Sequence, residues 1–186
     1  MSEKMTLLWG RPDDFDSRIE KEKRVYDLLD SLGIEYQRVD HDVAMTMEAC
    51  EEVDKLLEAD ICKNLFLCNR QKTDFYLLMI KGDKHFKTKD LSSQINTARL
   101  SFAGGEYMES FLDLTPGSVS VFGLMNDKEN RVRLLVDREL LSGEYIGCHP
   151  CINTSTLKLK TRDIFEKVLP SIGRVATVVD LKEEEK

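Results

Sequence analysis

The chain has 186 residues, 41% of them apolar and 33% charged, and a formal net charge of −7 at pH 7. The length suits one domain with a complete hydrophobic core. No apolar run approaches the roughly 20 residues of a membrane-spanning helix, so we expect no membrane partner. The acidic balance argues against a protein that coats nucleic acid through a basic surface, so we expect no DNA partner either.

The first third of the chain predicts a helix, a strand and a second helix. Apolar residues recur at helical spacing through "DFDSRIEKEKRVYDLLDSLG", and Gly33 stands just past the predicted end of that helix. "IEYQRV" is typical of a strand. Thr46 is placed to cap a second helix over "TMEACEEVDKLLE".

The rest of the chain predicts mostly strands with helices between them. "CKNLFLC" and "FYLLMI" indicate two core strands that form a hairpin around "NRQKTD". The later elements, in order, are a helix after Thr88, a strand at "RLSFA", a helix at "EYMESFL", a turn at Thr115-Pro116-Gly117, strands at "SVSVFGLM", "RVRLLVD" and "TSTLKLK", a helix at "RDIFEKVL" and a strand at "VATVVDL". This order predicts one mixed α/β domain over residues 1–186, with an N-terminal extension over 1–14 and a charged tail over 182–186.

Residues 148–151 form a Cys-His-Pro-Cys motif for which three interpretations are open. A thioredoxin-type dithiol begins a helix, whose dipole lowers the thiol pKa, whereas the residues after Cys151 predict loop and strand. A structural zinc site needs about four ligands, and this motif offers three at most. In the third interpretation the two sulfurs are incidental.

The remaining sequence signals narrow the chemistry further. The five cysteines are odd in number and irregularly spaced, which is typical of a reducing compartment. The start of the chain lacks the apolar core of a secretory signal, so we expect a cytoplasmic protein. Motifs of serine hydrolases, P-loop enzymes, zinc proteases and dinucleotide-binding folds are absent from the sequence, and we expect no cofactor and no metal.

Five short segments, read together, carry a family resemblance. They are "CKNLFL", "RLSFA", "TPGSVS", "GCHPCINTST" and "VVDL". Their order and spacing resemble the YbaK/prolyl-tRNA synthetase-associated domain family of aminoacyl-tRNA deacylases, over nearly the whole chain. Within that family the resemblance is closest to the freestanding Ala-tRNA(Pro) deacylases of the PrdX/ProX type. It implies a central mixed sheet, or partly closed barrel, surrounded by helices.

The resemblance also implies an activity. The chain is expected to be a trans-editing hydrolase that deacylates mischarged Ala-tRNA(Pro) and so proofreads for prolyl-tRNA synthetase. Two alternatives stay open, a Cys-tRNA(Pro) deacylase of the sister branch and a non-catalytic module that binds aminoacyl-tRNA or a synthetase. The implied partner is the acceptor end of tRNA(Pro), and the resemblance leaves open whether prolyl-tRNA synthetase is a partner too.

The family pattern gives the Cys-His-Pro-Cys segment its meaning. The informative residues are G-x-H-P followed by Asn-Thr, and Cys148 and Cys151 occupy the variable places between them, so the two sulfurs are interpreted as incidental. Two departures are visible. Cys62 replaces a small hydroxyl residue, which is expected to affect the pocket entrance, and Val121 replaces a proline, which is expected to affect a strand bend.

The residue roles implied by the resemblance are these. Lys63, Gly147 and His149 are the expected catalytic residues, with Lys63 binding the terminal nucleotide. The alternative for Lys63 is an edge-strand lysine that discourages aggregation. Small residues such as Ala103 would line a pocket that admits a methyl group but excludes a proline ring. The expected substrate-binding residues are Asn64, Ser101, Phe102, Ser118, Ser120, Gly123, Pro150, Asn153 and Thr154.

Overall fold

The computed structural model describes residues 4–43 and 46–185, in which nine strands form one mixed sheet. The strands follow the order β1-β2-β8-β7-β3-β4-β6-β9, and β5 pairs with β3. Their bounds are β1 Leu8–Trp9, β2 Gln37–Asp40, β3 Asp60–Asn69, β4 Phe75–Lys81, β5 Leu100–Phe102, β6 Val132–Asp137, β7 Tyr145–Cys148, β8 Ser155–Lys160 and β9 Ala176–Val179.

Seven α-helical segments and two short 3₁₀ helices connect these strands in the described part of the chain. The α-helices are α1 Glu20–Ser31, α2 Met47–Leu57, α3 Thr88–Gln94, α4 Gly105–Leu112, α5 Arg138–Leu141, α6 Thr161–Asp163 and α7 Leu169–Ser171. The 3₁₀ helices cover Phe15–Ser17 and Val121–Asn126, and a π-helical turn over Ile164–Val168 joins α6 to α7. The predicted mixed α/β fold is confirmed.

The sheet is open, which corrects the alternative of a partly closed barrel. Among the described strands, β1 and β9 are the two ends of the order and do not pair with each other. The strand β3 holds the sheet together. It pairs along its length with β4, in parallel with β7 at residues 60–61 and antiparallel with β5 at residues 67–69. Between those two pairings, residues 62–66 pair only with β4 among the described strands.

Apolar side chains cover both faces of the central strands. On β4, Phe75, Leu77 and Met79 point into a large core that also contains residues of α1 and α4. The alternate residues of the same strand point into a second core under α3. A third, smaller core forms where α2 packs on Val39. Burial of both faces explains why "FYLLMI" is a continuous apolar run rather than an alternating one.

The two predicted N-terminal helices are confirmed. Gly33 ends the first helix and Thr46 caps the second, as predicted. At the end of α1, Gly33 has φ +65° and its N–H donates to Asp30, while the N–H of Ile34 donates to Leu29. Left-handed backbone at this position favours glycine. At the start of α2, the Thr46 hydroxyl accepts from the backbone N–H of Ala49, as an N-cap does.

The predicted strand at "SVSVFGLM" is wrong, because residues 121–126 form a 3₁₀ helix. Ser120 caps it by accepting from the N–H of Phe122, and residues 121–124 are all buried. A short run that is buried on every side has no period that separates strand from helix. Val121 therefore occupies the first helical position, where proline is favoured, and not a strand bend.

The sequence patterns also failed to predict three elements, β1, β7 and α5, each only two to four residues long. The strand β1 lies inside the expected N-terminal extension and pairs with β2. No helix in the described part of the chain has the length and apolar character needed to cross a membrane.

Candidate active site

A cleft of about 600 Å³ opens where β7 and β3 meet in parallel and α2 crosses them. Its volume is in the range of small-molecule sites. Five elements contribute to its walls, so the cleft exists only in the folded chain. The lining residues are Cys50, Val53, Asp54, Ala59, Asp60, Ile61, Cys62, Lys81, Gly82, Asp83, Gly147, Cys148, His149 and Thr156.

Gly147 lies on β7 directly beside Ile61 of β3 and Lys158 of β8. A Cβ at this position would overlap the Cδ1 atom of Ile61. The absent side chain lets the two parallel strands approach closely and leaves the backbone of β7 exposed to the cleft. The structure thus places Gly147, one of the expected catalytic residues, in the cleft wall.

His149 follows β7 and is half-buried at the cleft wall. Its Nδ1 lies 2.8 Å from the carbonyl oxygen of Ser155. Because a carbonyl only accepts, Nδ1 carries the proton and Nε2 is left as an acceptor. Burial lowers the pKa of His149, and nearby His41 lowers it further, against the opposing effect of the Ser155 carbonyl. His149 is therefore neutral at pH 7.

A second histidine, His41, lies next to His149. The rings of His41 and His149 lie edge to face, 6.2 Å apart. His41 contacts the Asp42 carbonyl through Nδ1 at 3.1 Å and the Thr156 hydroxyl through Nε2 at 2.8 Å. Its Nδ1 therefore donates to the carbonyl, and the contact at Nε2 fixes the hydroxyl of Thr156 at the cleft wall.

The cleft is predominantly acidic. Asp54, Asp60 and Asp83 line it, and Lys81 is the basic residue among its lining side chains. The Lys81 ammonium lies 3.7 Å from Asp60 and 3.6 Å from Glu139, so acidic partners already surround that positive charge. Burial, followed by the neighbouring Glu51, raises the pKa of Asp54. The charge distribution favours a ligand with a cationic group.

Cys62, Cys148 and Cys151 are buried free thiols, whereas Cys50, which also lines the cleft, is exposed. Burial raises the pKa of Cys62 and of Cys151 to about 12, and that of Cys148 well above its ordinary value. A thiolate, the form that exchanges disulfides, is therefore disfavoured at all three positions. Within residues 4–43 and 46–185, no group of three or more His, Cys, Asp or Glu side chains is arranged to bind a metal ion.

Lys63 and Asn64 lie beside the cleft rather than in its wall. The Lys63 ammonium is 2.7 Å from the carbonyl oxygen of Lys84, the residue after the cleft-lining Asp83. Asn64 is half-buried, and its side-chain oxygen is buried without a hydrogen-bond partner in the described part of the chain. Both residues belong to the stretch of β3 that pairs only with β4 among the described strands.

Four of the expected substrate-binding residues lie near the cleft. Asn64 lies beside it on β3, and Pro150, Asn153 and Thr154 lie on the loop after β7. Pro150 is buried, and the carbonyl of Thr154 accepts from the backbone N–H of His41 at 2.9 Å. Asn153 is half-buried and approaches the turn at Gly117. The segment 147–156 thus brings Gly147, Cys148, His149 and Thr156 to the cleft, whereas Asn153 is directed toward the turn at Gly117.

Five other expected residues lie elsewhere. Ser101 and Phe102 are exposed on β5, which pairs with the far end of β3, about 20 Å from Cys62 at the strand rise. The remaining three are buried: Ser118 bonds to Thr115 within its turn, Ser120 caps the 3₁₀ helix, and Gly123 packs against Leu114. The structure does not bring these five to the cleft.

Sequence reasoning missed several residues that line the cleft, among them Thr156 and the three aspartates. A signal existed for Thr156, because the alternation of "TSTLKLK" places it on one face of β8 with Lys158. The aspartates come from α2, from the start of β3 and from the turn after β4. No spacing in the sequence relates these three.

Comparison with known proteins agrees with the geometry. Residues 41–167 match the family model described as the aminoacyl-tRNA editing domain. The chain is 33% identical over 153 residues to the Prolyl-tRNA editing protein ProX of Acetoanaerobium sticklandii, covering 82% of this chain and 93% of that protein. It is 27% identical over 148 residues to the Prolyl-tRNA synthetase associated domain-containing protein 1 of Danio rerio, covering 78% and 80% of the two chains.

A solved structure shares the fold. A crystal structure of a candidate trans-editing enzyme for prolyl-tRNA synthetase superposes with a TM-score of 0.64 at 16% identity, covering 90% of this chain and 99% of that one. The region matched by the family model includes α2, the β3–β4 hairpin and the segment from Gly147 to Thr156, which contributes residues to the cleft wall. The chain belongs to the aminoacyl-tRNA editing domain family and is an aminoacyl-tRNA deacylase.

Proposed function

We propose that this deacylase proofreads prolyl-tRNA in trans and that its main substrate is Ala-tRNA(Pro). The observation that carries the proposal is the convergence of Gly147 and His149 on one cleft of about 600 Å³. The relative from Acetoanaerobium sticklandii, named a prolyl-tRNA editing protein, supports the choice of tRNA. The acceptor end of tRNA(Pro) is the proposed partner.

The reaction is hydrolysis of an ester. Water adds to the ester carbonyl, the bond to the terminal ribose oxygen breaks, and free amino acid and tRNA with an intact ribose hydroxyl are released. An activated ester needs a positioned water and stabilisation of the oxyanion more than a strong base. Neutral His149 presents Nε2 as an acceptor, which suits it to orient the neighbouring ribose hydroxyl.

The charge of the cleft supports an aminoacyl ligand. An esterified amino acid carries a free α-ammonium group, and Asp54, Asp60 and Asp83 surround the cleft with negative charge. The same charge disfavours tRNA phosphates inside the cleft. We place the phosphate or ribose of the terminal nucleotide at the rim, on Lys63, whose ammonium lies beside the cleft.

Alanine is proposed because of a limit on binding energy. A synthetase pocket that accepts proline cannot strongly exclude a smaller side chain, since a missing methylene changes binding by only about 1–3 kcal/mol. A second site that excludes the pyrrolidine ring by size removes this error. The close approach of Ile61 to Gly147 narrows the floor of the cleft and supports such exclusion.

The test is the initial rate of hydrolysis of Ala-tRNA(Pro), Cys-tRNA(Pro) and Pro-tRNA(Pro) under identical conditions, with a His149→Ala variant and a protein-free blank as controls. We expect the alanyl ester to be hydrolysed at least about tenfold faster than the prolyl ester, which is the lower end of the roughly 10- to 200-fold discrimination that one methylene gives. A preference for the cysteinyl ester would assign the protein to the sister activity. Inactivity on all three would contradict the proposal. Adding prolyl-tRNA synthetase to the same assay tests whether it takes part.

A further inference from the structure

A chain of partly buried polar contacts runs from α1 to His149 through the end of β2. The His149 ring donates through Nδ1 to the carbonyl of Ser155. Ser155 is fully buried, and its hydroxyl donates to Asp40 Oδ1 at 2.5 Å. Asp40 and Ser155 are also direct partners in the β2–β8 pairing. Ser155 therefore contacts His149 with its backbone and Asp40 with its side chain.

Two arginines contact the carboxylate of Asp40. Its Oδ2 lies 3.1 Å from Arg18 Nη2 and 3.3 Å from Arg38 Nη1. Arg18 also binds the buried Glu22 at 3.1 Å, and Glu22 accepts from the Tyr26 hydroxyl at 2.8 Å. Both arginines therefore lie at Oδ2, where Arg18 donates a hydrogen bond, and Oδ1 is left to accept from Ser155.

Three residues of this network lie outside the region matched by the family model. Arg18, Glu22 and Asp40 precede residue 41, where the match to the editing-domain model begins. Their contacts cross from α1 and β2 to β8, so they join the region before the match to the loop that contains His149. The network ends at Ser155, whose carbonyl determines the tautomer of His149. This end point links the network to the cleft as well as to stability.

We propose that Asp40, oriented by Arg18, is a positioning residue for the hydrolysis reaction. Through the Ser155 hydroxyl it fixes the 155 peptide, whose carbonyl holds His149 as the Nδ1-protonated tautomer with Nε2 free toward the cleft. When this link is lost, the peptide can turn and His149 samples the other tautomer, in which Nε2 carries the proton and cannot accept. This proposal rests on the proposed function.

The experiment compares Ser155→Ala, which removes the hydroxyl and keeps the carbonyl, with Asp40→Asn, which keeps the shape and removes the charge. Asp30→Asn is the matched control, since Asp30 pairs with Arg11 at the other end of α1 and does not lie on the route to His149. Val25→Ala, a cavity in the core face of α1, controls for lost stability. All variants are assayed at a temperature where each is folded.

We expect kcat on Ala-tRNA(Pro) to fall between about tenfold and a hundredfold in both network variants, the scale of a misplaced reacting group, with KM within about twofold. Both controls should keep the wild-type kcat. The ¹⁵N shifts of the His149 ring, assigned with a His149→Gln variant, should show one tautomer in the wild type and a mixture in Ser155→Ala.

Wild-type kcat together with an unchanged His149 spectrum in both network variants would overturn the proposal. An equal loss of kcat in Val25→Ala would assign the network to stability and overturn it as well. If the wild type hydrolyses none of the three esters, the proposed function fails, and the ring spectrum alone decides the role of Asp40. The two failures are therefore distinguishable.

Discussion

At the scale of single residues, Gly147 shows most directly how a side chain that is absent shapes the site. The Cδ1 atom of Ile61 occupies the space that a Cβ on Gly147 would need, and the backbone of Ile61 lies farther away, with its Cα at 3.6 Å. The conflict is therefore with the end of one side chain. A substitution here can be compensated by shortening that side chain.

We predict that Gly147→Ala lowers the deacylation rate at least about tenfold, because the Ile61 side chain must move and the new methyl group changes the cleft wall. The double variant with Ile61→Val, which lacks the Cδ1 atom, should recover most of the loss. The measurement is kcat/KM on Ala-tRNA(Pro) for both variants and for Ile61→Val alone as the control. A double variant no better than Gly147→Ala would show that the backbone of β7, and not the contact with Ile61, forbids a side chain.

The residues of the cleft differ in how far the sequence could predict them. Gly147 and His149 lie two positions apart in a motif, so a local pattern identifies both. Asp54, Asp60 and Asp83 are three of 34 acidic residues, and only the folded arrangement of α2, β3 and the turn after β4 around the cleft relates them. His41 contacts Thr156 across the sheet, and a lone histidine in a sequence gives no indication of that.

At the scale of elements, the turn between β4 and α3 is fixed by a buried ion pair. The Lys84 ammonium lies 2.7 Å from Asp137 at the end of β6 and 2.8 Å from Glu139 in α5. Burial opposes the charge of Lys84, but the hydrogen bonds to Asp137 and Glu139 raise its pKa. The carbonyl of the same residue accepts from the Lys63 ammonium, so this turn also positions Lys63.

We predict that Lys84→Met destabilises the protein by about 3 kcal/mol, because the buried Asp137 loses its cation, and raises KM for charged tRNA because Lys63 loses a fixed partner. Adding Asp137→Asn should restore much of the stability but not the KM. Urea unfolding and steady-state kinetics test both statements. Lys87→Met, at an exposed position with a 3.8 Å partner, is the control and should change neither. A wild-type KM in Lys84→Met would show that the turn at Lys84 does not position Lys63 for substrate binding.

The elements that the sequence predicted are those with an unambiguous period or a recognisable end. The helix α1 had both an apolar face and Gly33, and the β3–β4 hairpin had two strong runs around a polar turn. The 3₁₀ helix at 121–126 had neither, because burial on every side erased its period. The strand β7 was missed because it is four residues long and includes Gly147, a residue depleted in strands.

At the scale of the whole molecule, Arg174 joins the loop before β9 to two neighbouring segments that lie 42 and 47 residues earlier in the chain. Its guanidinium donates to the carbonyls of Val132 and Asp127 at 2.8 and 2.7 Å and to the Asp127 carboxylate at 2.9 Å. The side chains of Arg174 and Asp127 are only 7% and 2% exposed. The 3₁₀ helix, the start of β6 and the loop before β9 are thereby held at one point.

We predict that Arg174→Met lowers the free energy of unfolding by about 3–5 kcal/mol, since it leaves a buried carboxylate without its partner. Arg138→Met is the control, because Arg138 and its partner Asp180 are 64% and 65% exposed, and it should change the free energy by about 1 kcal/mol or less. Chemical denaturation of the two variants makes the comparison. Equal effects would mean that the buried pair contributes no more than a surface pair does.

The parallel contact between β3 and β7 determines when the site can form during synthesis. It joins residues 60–61 to residues 146–147, and the loop closed by such a contact costs entropy that local contacts do not. The β3–β4 hairpin can form as soon as its own residues leave the ribosome, whereas Ile61 and Gly147 meet only after β7 has been made, and Thr156 follows later still. A chain that ends before β7 therefore lacks the contact between Ile61 and Gly147 that the cleft is built on. We expect a nascent chain to gain deacylase activity only after the residues up to Thr156 have been made and have folded onto the hairpin.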